Sequence, residues 1–159
     1  IRMKPGTDDF LDGLKTVGVR YLEVRLFDLN PLEATGVTEE QLYFTHLFLL
    51  MCLLHDSPTL SPEELQKTTD RQQEVALKGR GTELAIQEWA KPLMNDLHAL
   101  AKALPNPKYE VVLSIMEKRL QDPSQLPSYK VMHEMSEKHL NFIEFGMEQA
   151  RRFKQSLLQ

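Results

Sequence analysis

The stretch that decides the fold lies at residues 19–31 and reads Val-Arg-Tyr-Leu-Glu-Val-Arg-Leu-Phe-Asp-Leu-Asn-Pro. Valine, leucine and aromatic residues make up most of its first ten positions, which predicts a β-strand over about residues 19–28. Successive side chains of a strand point to opposite faces, so Leu22, Val24 and Leu26 form one apolar face that needs a core. The strand ends at Asn30-Pro31, because proline has no N–H to donate to a neighbouring strand.

The opposite face of this strand carries two candidate functional residues, Glu23 and Arg25. They are two positions apart, which places them side by side with roughly 6.5–7 Å between their Cα atoms. A carboxylate is a hard oxygen ligand for Mg²⁺, and a guanidinium group binds phosphate oxygens in pairs, so together they suit a magnesium-bound phosphate. The more common alternative for such a pattern is a solvated face or an ion pair between neighbouring strands.

The composition is that of one ordinary globular domain. The chain has 159 residues, of which 42% are hydrophobic and 26% are charged. A net charge of −4 gives no electrostatic reason to expect binding to nucleic acid or to a membrane. The first residues show no basic-then-apolar signal peptide, and we expect a cytoplasmic protein. Cys52 is the single cysteine, which excludes an internal disulfide; its apolar neighbours predict a buried free thiol.

Helical patterns fill most of the remaining chain. Thr38 and Gln41 form a capping box that opens a long apolar helix, expected to be buried and to end near residue 55. Ser61-Pro62-Glu63-Glu64 begins a polar helix that ends near residue 79, and Pro92 suits the first turn of the next one. The other expected elements are a short helix capped by Thr7 and ended by Gly18, a strand or turn over 82–87, a helix over 109–120 and one or two helices from residue 128 onwards.

Histidine positions give little indication of a metal site. His46 lies in the apolar helix without a second ligand four residues away, so a hydrogen-bonded core histidine is favoured over a ligand. His133 and His139 are six residues apart and are expected at the surface. The fold class predicted from all these patterns is α+β and predominantly helical, with one main strand and five to seven helices. The strand-bearing part covers residues 1–36 and the helical part covers residues 37–159.

Residues 18–25 and 28–31 together resemble a family signature. Gly18-Val19-Arg20-Tyr21-Leu22-Glu23-Val24-Arg25, followed by Asp28-Leu29-Asn30-Pro31, is similar to the pattern G-V-x-Y-x-E-V-R-x-x-D-x-N-P of proteobacterial glutamate–cysteine ligases. The similarity continues through Gly36-Val37 and Asp56-Ser57-Pro58, and returns weakly at residues 75–80. The opening Ile1-Arg2-Met3-Lys4 resembles an internal stretch of the family. The resemblance therefore implies the C-terminal part of a longer catalytic chain, whose N-terminal part would be its partner.

The resemblance implies an ATP-dependent ligase that makes γ-glutamylcysteine from L-glutamate and L-cysteine, the first step of glutathione synthesis. The family reaction passes through a γ-glutamyl phosphate and uses Mg²⁺. By this analogy Glu23 matches a magnesium ligand, and Arg25 matches the catalytic arginine that holds the transferred phosphate. Arg2 and Lys4 match positions near the nucleotide, as Arg25 also does, and Arg80 matches a family Gly-Arg of unassigned role. The fold implied is a fragment of a glutamine-synthetase-like catalytic domain.

Two functional hypotheses follow. The first is a ligase fragment that is inactive by itself, and the second is a non-catalytic helical binding module derived from the ligase fold. The ligase hypothesis expects Glu23 and Arg25 to face an open cleft and the strand edges to be unpaired. The binding-module hypothesis expects those edges to be covered.

Overall fold

Helices make up most of the computed structural model, which describes residues 10–19, 21–25, 27–78 and 84–158. The α-helices of this part are α1 (Phe10–Val17), α2 (Glu39–Leu54), α3 (Pro62–Lys78), α4 (Leu84–Ala103), α5 (Lys108–Gln121), α6 (Pro127–Glu137) and α7 (Phe142–Ser156). A short 3₁₀ helix, Pro123–Gln125, joins α5 to α6. The prediction of a predominantly helical chain with five to seven helices is confirmed.

Local capping fixes where two of the helices begin. The Thr38 hydroxyl accepts a hydrogen bond of 3.1 Å from the backbone N–H of Gln41 at the start of α2. At the start of α3, the backbone N–H of Ser61 donates to the Glu64 carboxylate at 2.8 Å. The N–H of Glu64 donates back to the Ser61 hydroxyl at 3.3 Å. These bonds satisfy N–H groups that have no partner within the helix, as the capping patterns predict.

The core lies where α2, α4 and α5 pack against one another. Leu47 of α2, Leu97 of α4 and Leu113 of α5 are each fully buried in it. Burial of one such side chain stabilises the fold by about 1.5–3 kcal/mol relative to its exposure. The other buried members of this core are Met51, Met94, Ala101 and Tyr109. The expectation that the helix after Thr38 is buried holds for Leu47 and Met51 of α2, but not for Leu42, Leu53 and Leu54, which are mostly exposed.

The last part of the chain forms two helices, which settles an alternative that the sequence pattern left open. Between α6 and α7 the backbone turns at His139, whose φ of 53° interrupts the helical path. Asn141 then caps α7 through its side chain, with Glu144 completing a capping box. Phe145 and Gln149 of α7 are buried. His133 and His139 are both exposed, as expected.

The predicted strand over residues 19–28 is not observed. Its described positions, 19, 21–25, 27 and 28, form no strand in the structure. A strand exists only when its backbone groups pair with a second strand, and no other described residue is in a strand that could supply this pairing. The fold implied by the resemblance contains a sheet, but the described part of this chain contains the helices alone.

The start of α4 corrects a second expectation. Residues 84–87 belong to α4 rather than to a strand or turn, while Thr82 and Glu83 lie outside the described residues. Pro92 lies inside α4 and not at its first turn. Proline removes one hydrogen bond of the helix. Met94 and Leu97, which follow Pro92 in the chain, are buried in the core, and this packing favours continuation of the helix beyond the proline.

Cys52 is exposed, so the prediction of a buried thiol is wrong. Leu47 and Met51 are four positions apart and face the core together. Each residue of an α-helix is turned by about 100° from the previous one, which carries Cys52 off the buried face. Leu53 and Leu54 are also mostly exposed. Within the described part of the chain, no helix has both the length and the apolar character needed to span a membrane.

Candidate functional site

Glu23 and Arg25 lie beside each other on the segment between α1 and α2. Arg25 Nη2 donates a hydrogen bond of 2.7 Å to Glu23 Oε2, and the two groups form an ion pair. The Arg25 side chain is 69% exposed and that of Glu23 is 41% exposed. Because this contact uses one guanidinium nitrogen and one carboxylate oxygen, the remaining polar atoms can reach a ligand from solvent. An exposed ion pair by itself contributes little to stability, about 0–1 kcal/mol.

The apolar residues around this pair are also exposed. Leu22 is 56% exposed and Val24 is 43% exposed, and they alternate with Glu23 and Arg25 along the segment. Val19 and Tyr21 are exposed to a similar degree. Leu22 and Val24, which the sequence assigned to a core, are therefore not covered by any described part of this chain, and Leu26 lies outside the described residues. Glu23 and Arg25 face solvent rather than a cleft formed by described residues.

A tight turn connects this segment to α2. The N–H of Asn30 donates to the Gly36 carbonyl at 2.8 Å, and the N–H of Gly36 donates to the Glu33 carbonyl at 3.0 Å. The Asn30 side chain accepts a further hydrogen bond of 3.1 Å from the N–H of Leu32. Gly36 has a φ of 73°, a conformation that glycine adopts readily and most other residues avoid. The turn thus fixes the direction from which the segment enters α2.

A groove opens beside this turn, and we call it the α6 groove. It has a volume of about 630 Å³ and is bounded by residues 28–31, the first turns of α2, the end of α5 and one face of α6. Its walls are mainly apolar and include Phe44, Met116, Met132 and Met135. Arg119 is the cation among the lining residues that the structure describes. This shape and lining suit an apolar group that carries a negative charge.

The N-terminal cap of α2 also affects the pKa of a nearby carboxyl group. The hydrogen bond from the Thr38 side chain lowers the pKa of the Glu40 carboxyl below its usual range, helped by the backbone N–H of Glu40 itself. The positive charge of Arg119 lowers this pKa further, while partial burial opposes the shift. Glu40 is therefore ionised at neutral pH in the first turn of α2, where the helix dipole favours a negative charge.

A cluster that the sequence reasoning missed joins α4 to α5 at His98. Its Nδ1 lies 2.9 Å from Glu110 Oε2, and its Nε2 lies 3.1 Å from Glu117 Oε1. Glu110 and Glu117 are seven residues apart and share one helix face, which was the available signal. The described residues contain no group of three His, Cys, Asp or Glu side chains arranged to hold a metal ion. Its two hydrogen-bonding contacts make this cluster a polar link between α4 and α5.

The other candidate residues are distributed as follows. His46 Nδ1 and the hydroxyl of buried Tyr109 are 2.7 Å apart, so the expected hydrogen bond is present although His46 itself is exposed. Arg2, Lys4 and Arg80 lie outside the described residues. Of the four site residues inferred from the resemblance, the structure brings Glu23 and Arg25 together.

Comparison with known proteins gives one consistent result. A family model described as glutamate-cysteine ligase matches residues 1–75. A glutamate–cysteine ligase of Shewanella pealeana is 31% identical over 168 residues, covering 98% of this chain and 32% of the relative. The glutathione biosynthesis bifunctional protein GshAB of Clostridium perfringens is 30% identical, covering 96% of this chain and 21% of the relative.

A solved structure gives the same result at the level of the fold. The crystal structure of a glutamate–cysteine ligase from Francisella tularensis in complex with AMP matches with a TM-score of 0.77 and 26% identity. The match covers 91% of this chain and 30% of that one. The chain thus spans about one third of the length of the ligases that it matches.

Proposed function

Since this chain is homologous to glutamate–cysteine ligases over nearly its whole length, we propose that it is the segment of such an enzyme that contributes Glu23 and Arg25 to the active site. The substrates proposed are L-glutamate, L-cysteine and ATP, and the product is γ-glutamylcysteine, the first intermediate of glutathione synthesis. The remaining part of the ligase polypeptide is the proposed partner, and the cytoplasm is the proposed location.

The reaction needs groups that neutralise phosphate charge. The γ-carboxylate of glutamate receives the terminal phosphoryl group of ATP, and ADP leaves. The amine of cysteine then attacks the acyl carbon, loses a proton and displaces inorganic phosphate. In both steps negative charge develops on the phosphoryl oxygens, and fixed cations and hydrogen-bond donors stabilise this charge in the transition state. In comparable enzymes one such group contributes about 3–4 kcal/mol. We assign to Arg25 the binding of the transferred phosphoryl group.

Glu23 is the proposed magnesium ligand. Mg²⁺ in such sites is usually held by one or two carboxylates together with substrate phosphates. The carboxylate of Glu23 is partly exposed, so it would offer Mg²⁺ a hard oxygen ligand, and the adjacent Arg25 guanidinium group would bind the phosphate. When bound, the metal would supply positive charge to the phosphate oxygens. Arg2 and Lys4, on the evidence of the resemblance alone, are proposed to lie near the nucleotide, as is Arg25.

One observation supports this proposal most directly: Glu23 and Arg25 form a solvent-facing pair within the region that the family model matches. The competing function is a helical binding module without activity, and the self-contained core of α2, α4 and α5 favours it. The two functions differ in what they require of the pair. A ligase needs both side chains for turnover, whereas a binding module retains its fold without them.

The test is a chimaera in which this chain replaces the matching segment of the Shewanella pealeana ligase. We expect the chimaera to form γ-glutamylcysteine, and Glu23→Gln or Arg25→Ala to lower kcat by about 10²–10³-fold, the usual effect of removing one charge-stabilising group. Glu63 and Lys67 form an exposed ion pair on α3 and provide the matched controls, Glu63→Gln and Lys67→Ala. These controls should leave turnover unchanged.

The same assay is applied to the 159-residue chain alone. We expect no ATP-dependent product from it, because the proposed site needs the remaining part of the ligase. Turnover by the isolated chain would refute the fragment proposal. A folded chimaera without activity, or one in which the Glu23 and Arg25 variants behave like the controls, would favour the binding module.

A further inference from the structure

The α6 groove contains an apolar surface that no described part of the chain covers, next to the guanidinium group of Arg119. Met132 lines the groove and is 54% exposed, and Phe142 at its edge is 66% exposed. Met116, Met135 and Phe44 continue this apolar lining deeper in the groove. Exposed apolar surface that is concave and continuous usually marks an interaction site, since single exposed apolar residues on a convex surface do not form a cavity.

Arg119 supplies the positive charge among the described lining residues of this groove. Its Nη1 contacts the Met116 sulfur at 3.7 Å, and a thioether is only a weak acceptor. No described carboxylate lies within ion-pair distance of its guanidinium group, although Glu40 is close enough for Arg119 to lower its pKa. Asp28 is the acidic residue among the described lining residues of the groove. A half-buried arginine in this state can accept a carboxylate together with the apolar groups that carry it.

We propose that the α6 groove binds a segment of the ligase polypeptide outside these 159 residues, one that brings apolar side chains and a carboxylate for Arg119. This inference rests on the proposed function. The ligases that it matches are about three times as long as this chain, so under the proposed function about two thirds of the polypeptide lies outside these residues and is available to contact the groove. The groove also adjoins Asp28–Pro31, so a segment seated in it would hold the Glu23–Arg25 segment in place from its C-terminal side.

The test uses chemical labelling in the full-length chimaera, with a matched pair of positions. Met132 lines the groove, whereas Met147 on α7 does not line it and has a closely similar exposure of 50%. Met132→Cys and Met147→Cys are made separately in a Cys52→Ser background, because Cys52 is exposed and would itself be labelled. A maleimide probe then labels the thiols, and peptide mass spectrometry measures the rate at each site.

We expect the thiol at position 132 to be labelled about tenfold or more slowly than the one at position 147, since labelling in a covered groove requires local opening. Arg119→Gln, which removes the charge at similar size, should raise the rate at position 132 and leave the rate at position 147 unchanged. Arg151→Gln, on the exposed face of α7, is the control for charge removal. It should change neither rate.

Equal rates at the two positions would overturn the proposal. Protection that disappears on dilution would also overturn it, because the groove would then be covered by a second copy of the chain. The two proposals fail separately. An active chimaera with a freely labelled position 132 refutes only the groove assignment, and an inactive chimaera with a protected position 132 refutes only the ligase function.

Discussion

Gly36 offers a direct test of the turn that connects the Glu23–Arg25 segment to α2. Its φ of 73° lies in the left-handed region, and its N–H and carbonyl both take part in the hydrogen bonds of the turn. Gly146 provides the matched control, because it lies within α7 and a Cβ added there meets no atom within 4 Å. The two substitutions, Gly36→Ala and Gly146→Ala, therefore add the same methyl group to opposite backbone environments.

The expected magnitude at Gly36 comes mainly from the backbone. An alanine in the left-handed region costs about 1–2 kcal/mol. A Cβ at position 36 would also lie 2.9 Å from Leu29 Cδ2, but Leu29 is 77% exposed and its side chain can rotate away. The contact therefore adds little to the backbone cost. In α7, alanine is favoured over glycine by about 0.5–1 kcal/mol, so the control should stabilise the chain.

Urea unfolding of the 159-residue chain, followed by circular dichroism at 222 nm, measures both effects. We expect Gly36→Ala to lower the free energy of unfolding by about 1–2 kcal/mol and Gly146→Ala to raise it. Gly36→Asn should fall between the wild type and Gly36→Ala, because asparagine tolerates the left-handed region better. Adding Leu29→Ala should leave the cost of Gly36→Ala unchanged. If Gly36→Ala were no more destabilising than Gly146→Ala, the turn geometry described above would be wrong.

Two further predictions concern the core and the start of α2. Leu113→Ala should lower the free energy of unfolding by about 2.7–5 kcal/mol, because Leu113 is fully buried. The control Val111→Ala, at a residue of the same helix that is 60% exposed, should lower it far less. Similar urea midpoints for the two variants would contradict the core assignment. Thr38→Ala should remove the cap and raise the pKa of Glu40. A carboxyl group whose pKa is lower in the folded than in the unfolded state stabilises the fold at pH values above its unfolded-state pKa, and this stabilisation is lost on acidification. The wild type should therefore lose more stability than Thr38→Ala when the pH falls from 7 into the range where carboxyl groups titrate. Equal losses in urea titrations would refute this linkage.

The sequence predicted those features that are governed by residues close together in the chain. Thr38 with Gln41 and Ser61 with Glu64 begin helices where their patterns placed them. Gly18 ends α1 with a positive φ, also as expected. Each of these depends on hydrogen bonds that span three or four residues, so neighbouring residues are enough to determine them. The family resemblance at residues 18–31 rests on equally local residue identities.

The tertiary structure decided what depends on distant partners. Residues 19–28 carry a strand pattern, yet a strand needs a second strand to pair with, and the described part of this chain does not provide one. Helix α4 extends on both sides of Pro92, where packing outweighed a local breaking signal. His98 joined Glu110 and Glu117 across 12 and 19 positions, and Cys52 came to the surface although its neighbours are apolar. Burial and pairing depend on the whole set of helices packed together, and this is why composition and spacing could not assign them.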